Sequence, residues 1–328
     1  MTGSASYPVP WLTGFIADLP TPFNEDQTID WNSLERLCEH QIGSGASAIL
    51  VGETMGEAAT LSRDEQECLV RAAVRLSRGR VAVIAGAGSN STSQAIDLTM
   101  RAEASGADAV MSVVPYYNKP MQAGIVAHFK AIATSTLLPI ILHDAPGRTA
   151  RELSDEAIGQ LAKTAQIVGL RDDTGDIARL LRLKTVLPGH FKMLSGEDST
   201  ALAHLVSGGD GCFSGVSNIA PEFCKTLYER CSLGDLQTAR ALGSRLAAAT
   251  EALSQDATPA CTKYALSLLG LMAPGLRLPL VEPDRASKIM VAKAIAALCD
   301  WDLHHAAMQG SWSEQHTRTP RIVRHQRK

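Results

Sequence analysis

The chain has 328 residues, of which 45% are hydrophobic and 20% charged, with a formal net charge of −3. This length suits one large barrel domain or two smaller domains, and the composition is that of an ordinary globular protein. So small a net charge gives no general attraction to nucleic acid or to an anionic membrane. Apolar runs such as Pro139–Leu142 are too short to span a bilayer. The first ten residues lack the basic and apolar regions of a secretory signal.

The seven cysteines are widely spaced and form no Cys-x-x-Cys pair. Their odd number and long spacings argue against a disulfide framework or a zinc site. We therefore expect reduced thiols in a cytoplasmic protein, most of them serving as small core residues.

Short apolar runs recur along the chain and are continuous rather than alternating. Continuous runs favour strands that are covered on both faces, as in a parallel sheet. The predicted strands are Gly14–Ala17, Ala48–Val51, Val81–Ala85, Ala109–Val114, Ile140–His143, Ile167–Leu170, Lys192–Leu194 and Cys212–Gly215.

Segments with helical spacing of apolar residues separate these strands. Trp31–Ile42, for example, places Leu34, Leu37 and Cys38 on one stripe. The other predicted helices are Arg63–Leu76, Ser93–Ala104, Gln122–Thr136, Ser154–Ala165, Ile177–Val186, Ser199–Val206, Glu222–Ser232, Leu236–Leu253, Ala265–Leu271 and Arg285–Leu298. Eight strand–helix alternations predict an α/β fold, a closed (β/α)8 TIM barrel. A doubly wound open sheet is the alternative, but no Gly-x-Gly-x-x-Gly turn follows an early strand.

The pattern divides the chain into four parts. Residues 1–12 form an N-terminal segment, residues 13–232 the barrel, residues 233–308 a C-terminal helical extension and residues 309–328 a basic tail. A basic tail can bind polyanions, but the simpler interpretation is a solvated, disordered end.

Polar side chains follow several of the predicted strands. In a barrel of this kind, reactive groups lie at the carboxyl ends of the strands, so we expect these side chains to surround one pocket. Structural roles stay open for four of them. Asp198 could cap a helix, Glu57 could begin one, and Gly196 could serve only a turn. His143 could be a hydrogen-bonded core histidine. The strand-end residues that could carry chemistry are Thr54, Met55, Glu57, Tyr117, His143, Arg148, Arg171, Asp172, Asp173, Gly196, Asp198 and Asn218.

Several motifs appear in a recognisable order. In chain order they are Gly56-Glu57, Ala59-Thr60-Leu61, Pro115-Tyr116-Tyr117-Asn118-Lys119-Pro120, Arg148-Thr149, Leu194-Ser195-Gly196 and Leu276-Arg277-Leu278-Pro279. With these motifs the sequence resembles the dihydrodipicolinate synthase / N-acetylneuraminate lyase family from about Thr13 to Leu298.

The resemblance implies a lyase or aldolase fold with a helical C-terminal extension, usually a homotetramer built as a dimer of dimers. It also implies a lysine at the end of the sixth strand, which condenses with pyruvate to an imine. A threonine and two tyrosines relay protons in that family, and an arginine holds the second substrate's carboxylate. Thr54, Tyr117 and Arg148 match the relay threonine, the tyrosine that crosses the subunit interface, and this arginine.

Three positions depart from the family's pattern. His143 stands where the family has a tyrosine, Met55 replaces a threonine, and Arg171 replaces the lysine. Arginine stays protonated at physiological pH, so it has no free lone pair for an imine. Lys119 is the one nearby substitute, although a surface lysine is its simpler interpretation. Gly196, just after the seventh strand, and Phe213, on the eighth, complete the predicted substrate-binding set with Arg148 and Met55.

Three functions remain open. We favour a lyase or aldolase that acts without an imine, in which Arg171 stabilises an enolate, His143 is the general acid/base, and Tyr117 and Thr54 relay protons. The second is a catalytically silent binding or regulatory protein that holds a small carboxylate between Arg148 and Arg171.

The third is a metal-assisted lyase that uses His143, Asp144, Asp172 and Asp173. Adjacent strand residues point to opposite faces, so only one of each pair would face inward. We therefore predict no metal and no cofactor. The expected partners are a small carboxylate or 2-oxo acid and further copies of the chain, without nucleic acid or membrane.

Overall fold

A closed barrel of eight parallel strands forms the centre of the computed structural model, which describes residues 7–308 and the side chains of residues 7–298. Each strand pairs with the next along the chain, and the last pairs with the first, which confirms the predicted TIM barrel. The strands are β1 (Gly14–Asp18), β2 (Ala48–Val51), β3 (Ala82–Gly86), β4 (Ala109–Val113), β5 (Ile140–Asp144), β6 (Ile167–Asp172), β7 (Lys192–Ser195) and β8 (Gly211–Ser214).

Helices surround the barrel and continue beyond it. They are α1 (Trp31–Gly43), α2 (Arg63–Ser77), α3 (Thr92–Ala104), α4 (Gln122–Ala133), α5 (Pro146–Thr149), α6 (Asp155–Leu161), α7 (Ile177–Lys184), α8 (Ala201–Val206), α9 (Pro221–Ser232), α10 (Leu236–Leu253), α11 (Ala260–Leu268) and α12 (Arg285–Met308). The short α5 was not predicted, because a single turn is too short to show helical periodicity. The α11 helix begins five residues before the predicted Ala265, directly after Pro259.

The C-terminal extension is anchored to the loop that follows β2. Lys263 of α11 is fully buried, pairs with the carboxylate of Glu57, and donates a hydrogen bond to the Gly275 carbonyl at 2.9 Å. Its ammonium group also lies 4.2 Å from the centre of the Phe23 ring. Glu57 therefore has a partner in the extension and does not simply begin a helix. These contacts hold α11 against the loops that follow β1 and β2.

The barrel interior is filled by side chains that alternate along the strands. One set of buried residues points into the barrel, and the other packs against the helices. Val9 and Leu12 precede β1 and belong to the interior set, so this part of the N-terminal segment packs with the barrel's inner core. The interior residues are Val9, Leu12, Ile16, Ala48, Leu50, Ile84, Ala109, Met111, Ile141, Val168, Leu194 and Phe213.

The register between β5 and β6 contains one irregularity. Ile140 pairs with Ile167, but Ile141 pairs with Gly169, so β6 carries one extra residue. Such a bulge reverses the alternation of the side chains beyond it. Val168 faces the barrel interior while Leu170 packs on the helix side, and Arg171 then turns towards the barrel axis.

No helix in the 7–308 range is long and apolar enough to cross a membrane. The cysteines that the structure describes are free thiols, four of them buried. The basic tail predicted for residues 309–328 lies outside the described residues, and the four-part division of the chain stays a prediction.

Leu12→Ala tests whether the N-terminal segment is part of the folded unit. Leu12 is completely buried in the interior cluster, so the substitution should lower the free energy of unfolding by about 2–5 kcal/mol. Urea denaturation would measure the change, with Leu233→Ala as the control because Leu233 is 74% exposed. Equal midpoints for the two variants would contradict a structural role for this segment.

Candidate active site

A cavity of about 110 Å³ opens where the carboxyl ends of the strands meet the extension. Its walls are polar: four carboxylates and two guanidinium groups contribute to them, and hydroxyl groups of α10, α11 and the segment between them lie on the extension's side. The lining residues are Asp18, Thr54, Met55, Arg148, Arg171, Asp173, Gly196, Glu197, Asp198, Gly215, Val216, Thr250, Leu253, Ser254, Thr258 and Thr262.

Arg171, on β6, is buried in the wall of this cavity and makes two ion pairs there. Its Nη1 donates to Asp18 Oδ2 at 2.7 Å, and its Nε donates to Asp173 Oδ1 at 3.0 Å. The guanidinium also lies 5.4 Å from the centre of the Phe213 ring. Burial opposes its charge, but Asp173 and Asp18 outweigh burial and hold the pKa of Arg171 well above its usual value. The side chain is therefore a fixed positive charge.

His143, on β5, lies behind this wall with both ring nitrogens occupied. Nδ1 is 3.0 Å from Glu53 Oε1, Nε2 is 3.1 Å from Asp173 Oδ2, and the side chain is 1% exposed. Burial alone lowers the pKa of His143, but the carboxylates of Asp173 and Glu53 raise it to about 9. The sequence predicted an acid/base titrating near neutrality at this position. The ring is instead an imidazolium at neutral pH and does not line the cavity.

Asp18, Arg171, Asp173, His143 and Glu53 thus form one continuous series of ion pairs, called the charge chain below. Burial raises the pKa of Asp18 to about 6 despite its contact with Arg171. Burial also opposes ionisation of Asp173, but Arg171 and His143 outweigh it and bring the pKa of Asp173 to about 2. The charge chain contains three carboxylates and two cations, so negative charge predominates within it at neutral pH.

Gly196, just after β7, lets the charge chain pass close to the backbone. A Cβ atom placed there would lie 1.5 Å from Asp173 Oδ1 and 2.8 Å from Arg171 Nε. The turn therefore has to be made by a residue without a side chain, and the position serves the site as well as the turn.

The other predicted site residues occupy different environments. Thr54, Met55 and Arg148 line the cavity, whereas Phe213 lies in the barrel interior beneath Arg171. Tyr117 does not reach the cavity: it is 89% exposed on the loop after β4, with a left-handed φ of 69°.

Asp144 and Asp172 face the opposite way from His143 and Arg171. Both pair with Arg179 of α7, whose Nη2 lies 2.8 Å from Asp144 and whose Nη1 lies 3.3 Å from Asp172. The predicted alternation along β5 and β6 is confirmed at these positions. In the described part of the chain, no group of three or more histidine, cysteine, aspartate or glutamate residues is arranged to hold a metal ion.

Sequence reasoning missed one acidic residue of the site, Asp18. Glu53, Glu197 and Asp198 were recognised as strand-end acids, but none of them was given a catalytic or binding role. Asp18 directly follows the apolar run Phe15–Ala17, and an acid at that point of a barrel strand was the signal available. Asp198 accepts hydrogen bonds from Ser214 Oγ and from the backbone N–H groups of Gly215 and Val216. It therefore orders the loop after β8 and does not cap the N-terminus of α8.

A closed (β/α)8 barrel with a charged cavity at the carboxyl ends of its strands and a helical extension beside that cavity defines a TIM-barrel protein. The sequence profile of the dihydrodipicolinate synthetase family matches residues 11–298. The chain therefore belongs to the dihydrodipicolinate synthetase family.

Curated relatives and solved structures agree with this assignment. The 4-hydroxy-tetrahydrodipicolinate synthase of Anaplasma marginale (strain Florida) is 42% identical over 287 residues, which are 88% of this chain and 95% of that protein. The chloride-inhibited dihydrodipicolinate synthase of Acinetobacter baumannii, solved with pyruvate, is 38% identical to this chain, with a TM-score of 0.85. The match covers 87% of this chain and 98% of that protein's chain. The Methylacidiphilum fumariolicum enzyme reaches a TM-score of 0.87 at 35% identity, over 92% of this chain and 99% of its own.

Gly196→Ala tests the close approach of the charge chain to the backbone. The added methyl group must displace the Asp173 carboxylate from Arg171, so we expect a loss of about 1–3 kcal/mol in unfolding free energy. Chemical denaturation would measure it against Gly189→Ala, since nothing lies within 4 Å of a Cβ at that exposed glycine. A Gly196→Ala protein as stable as Gly189→Ala would show that the charge chain relaxes freely.

His143→Gln tests the buried imidazolium through the pH dependence of stability. The folded protein raises the pKa of His143 from 6.5 to about 9. Its stabilisation is therefore fully present below pH 6.5 and is lost as the pH rises through about 9. The destabilisation caused by His143→Gln should shrink over that interval by roughly 1–3 kcal/mol.

Urea denaturation at both ends of the interval measures this change, and the exposed His190 supplies the control substitution His190→Gln. A constant difference between the native protein and His143→Gln across the interval would mean that the ring is neutral in the folded state.

Proposed function

We propose that this protein is a lyase or aldolase of its family that binds a small 2-oxo acid of the pyruvate type without forming an imine. The observation that carries the proposal is the double ion pair of Arg171 with Asp18 and Asp173 at the cavity wall. A guanidinium held between two carboxylates has no lone pair with which to attack a carbonyl. It can instead stabilise negative charge on a ligand oxygen.

The composition of the cavity supports the absence of an imine. Among the described residues that line it, none is a lysine. Lys263, on α11 of the extension, is buried and paired with Glu57, while Lys119 lies on the exposed loop after β4. The nearest basic groups to a bound ligand are therefore guanidinium groups.

Arg148 supports the binding of a carboxylate. It lies on α5 at the mouth of the cavity, and no hydrogen bond or ion pair engages its guanidinium within residues 7–298. The Nη2 of Arg171 is likewise without a hydrogen bond to described residues. A small 2-oxo acid has a carboxylate for one of these groups and a carbonyl oxygen for the other.

The roles of the remaining predicted residues follow from their surroundings. Thr54 lies in the cavity wall and could hold or relay a proton, and Met55 contributes an apolar contact. We propose that Tyr117 acts across a subunit interface in a homotetramer, because its side chain is 89% exposed in the single chain. His143 acts in this proposal by holding Asp173 in position, since neither ring nitrogen is free.

Binding of pyruvate followed by borohydride reduction tests this function. The native protein should gain thermal stability with pyruvate, because a ligand that binds only the folded state stabilises it. Intact mass spectrometry after borohydride should show no covalent adduct. An adduct would disprove imine-free binding, and peptide mapping would identify the lysine that has taken over.

Variants of the guanidinium groups sharpen the test. Arg148→Ala should weaken pyruvate binding about 10- to 100-fold, as expected for a charged hydrogen bond worth roughly 1.5–3 kcal/mol. Arg75→Ala, on the exposed surface of α2, is the matched control and should bind like the native protein. Failure of pyruvate and other 2-oxo acids to stabilise the native protein would contradict the proposed ligand class.

A further inference from the structure

We infer that Glu197 is the group that moves a proton to and from the bound ligand. This inference rests on the proposed function, and it concerns a residue for which the family resemblance implied no role. It follows from a comparison of the titratable side chains that line the cavity: Asp18, Arg148, Arg171, Asp173, Glu197 and Asp198.

Most of these side chains already have partners in the protein. Asp18 and Asp173 are paired with Arg171, and Asp173 also contacts the ring of His143. Asp198 is the acceptor of hydrogen bonds from the loop after β8. Protonation of a carboxylate in such a pair would weaken its ion pair or hydrogen bonds, and this opposes the transfer of a proton from a ligand.

Glu197 differs from the other acids of the cavity. It lies in the loop between β7 and α8, and its carboxylate makes no hydrogen bond or ion pair within the described residues. Glu197 is also exposed, so a ligand entering the cavity can reach it. Asp18 also has an oxygen, Oδ1, without a hydrogen-bond partner, but that atom is buried and its carboxylate is paired with Arg171. Among the described acids that line the cavity, Glu197 is therefore the one whose carboxylate is both unpaired and exposed.

The electrostatic surroundings suit proton transfer. Partial burial, and then the negative charge of Asp173, raise the pKa of Glu197 above its usual 4.5, against the opposing charges of Arg171 and Arg148. A base is more effective as its pKa approaches the working pH. Other predicted acid/base groups are less suited, because His143 is a doubly paired cation and Tyr117 lies outside the cavity.

The step balances without a further reagent. The Glu197 carboxylate takes a proton from the carbon next to the carbonyl of the 2-oxo acid. The electron pair of that C–H bond forms a C=C bond, and the carbonyl π pair moves onto oxygen to give an enolate. The fixed charge of Arg171 stabilises the enolate oxygen. The reverse step returns the proton from the Glu197 carboxyl group to carbon.

Hydrogen exchange of pyruvate measures this step without knowledge of the second substrate. In D2O, with a chelator present, the native protein should speed the loss of the pyruvate methyl signal in the proton NMR spectrum relative to buffer alone. Glu197→Gln should lower the protein-dependent rate about 10²- to 10⁴-fold, the range typical of a general base. Pyruvate-induced thermal stabilisation should persist in this variant, because binding depends on the arginines.

Two control variants test the chemistry of residue 197. Glu197→Asp keeps the carboxylate and should retain part of the exchange rate, while Glu35→Gln, on the exposed face of α1, should leave the rate unchanged. The exchange rate of the native protein should rise with pH as Glu197 ionises, at a pKa above 4.5, and should then become constant. This rising part of the pH profile, its acidic limb, should be absent in Glu197→Gln. Asp18, whose pKa is about 6, titrates in the same range, so a limb that persists in Glu197→Gln belongs to Asp18 and overturns the assignment.

The remaining outcomes separate the two proposals. Pyruvate binding without any exchange would overturn the role of Glu197 while leaving imine-free binding intact. Exchange at the native rate in Glu197→Gln would do the same. Absence of both binding and exchange would overturn the proposed function together with this inference.

Discussion

The ion pairs of Arg171 are the constraint on which the site depends. A buried guanidinium is costly unless carboxylates surround it, and Asp18 and Asp173 supply them from β1 and from the loop after β6. Asp173 in turn requires a second cation, which is His143, and His143 requires Glu53. One basic residue at the end of β6 thus accounts for the charges around it. The loss of one partner would leave a buried charge without compensation, so the members of the network depend on one another.

The same network divides the charged residues of the cavity into two groups. Those of the charge chain are held in place and act on a ligand through their fixed field. Arg148 and Glu197 remain without partners in the described part of the protein, and they carry opposite charges. Arg171 is the fixed cation at the cavity wall. Arg148 is available to bind a ligand carboxylate, and Glu197 is available to take a proton. This arrangement suits enolate chemistry that needs no amine.

The family assignment and the site are separate findings. Identity of 42% to a synthase and TM-scores near 0.85 establish the fold and the family. The chemistry depends on individual side chains, and here the strand ends carry an arginine and an imidazolium among acids. Because function resides in the site and not in the fold, the activity of the relatives is a starting hypothesis for this chain.

The sequence by itself determined the barrel, since eight continuous apolar runs alternating with helical segments have few other ways to bury their surface. It also determined that residue 171 cannot form an imine, which is a property of the guanidinium alone. Tertiary structure decided which side chains meet. The extra residue in β6 turns Arg171 inward and Asp172 outward, and no periodicity rule shows a bulge in advance. The partners of His143 come from positions 90 and 30 residues away in sequence, so its charge follows from the closed barrel and not from its neighbours along the chain.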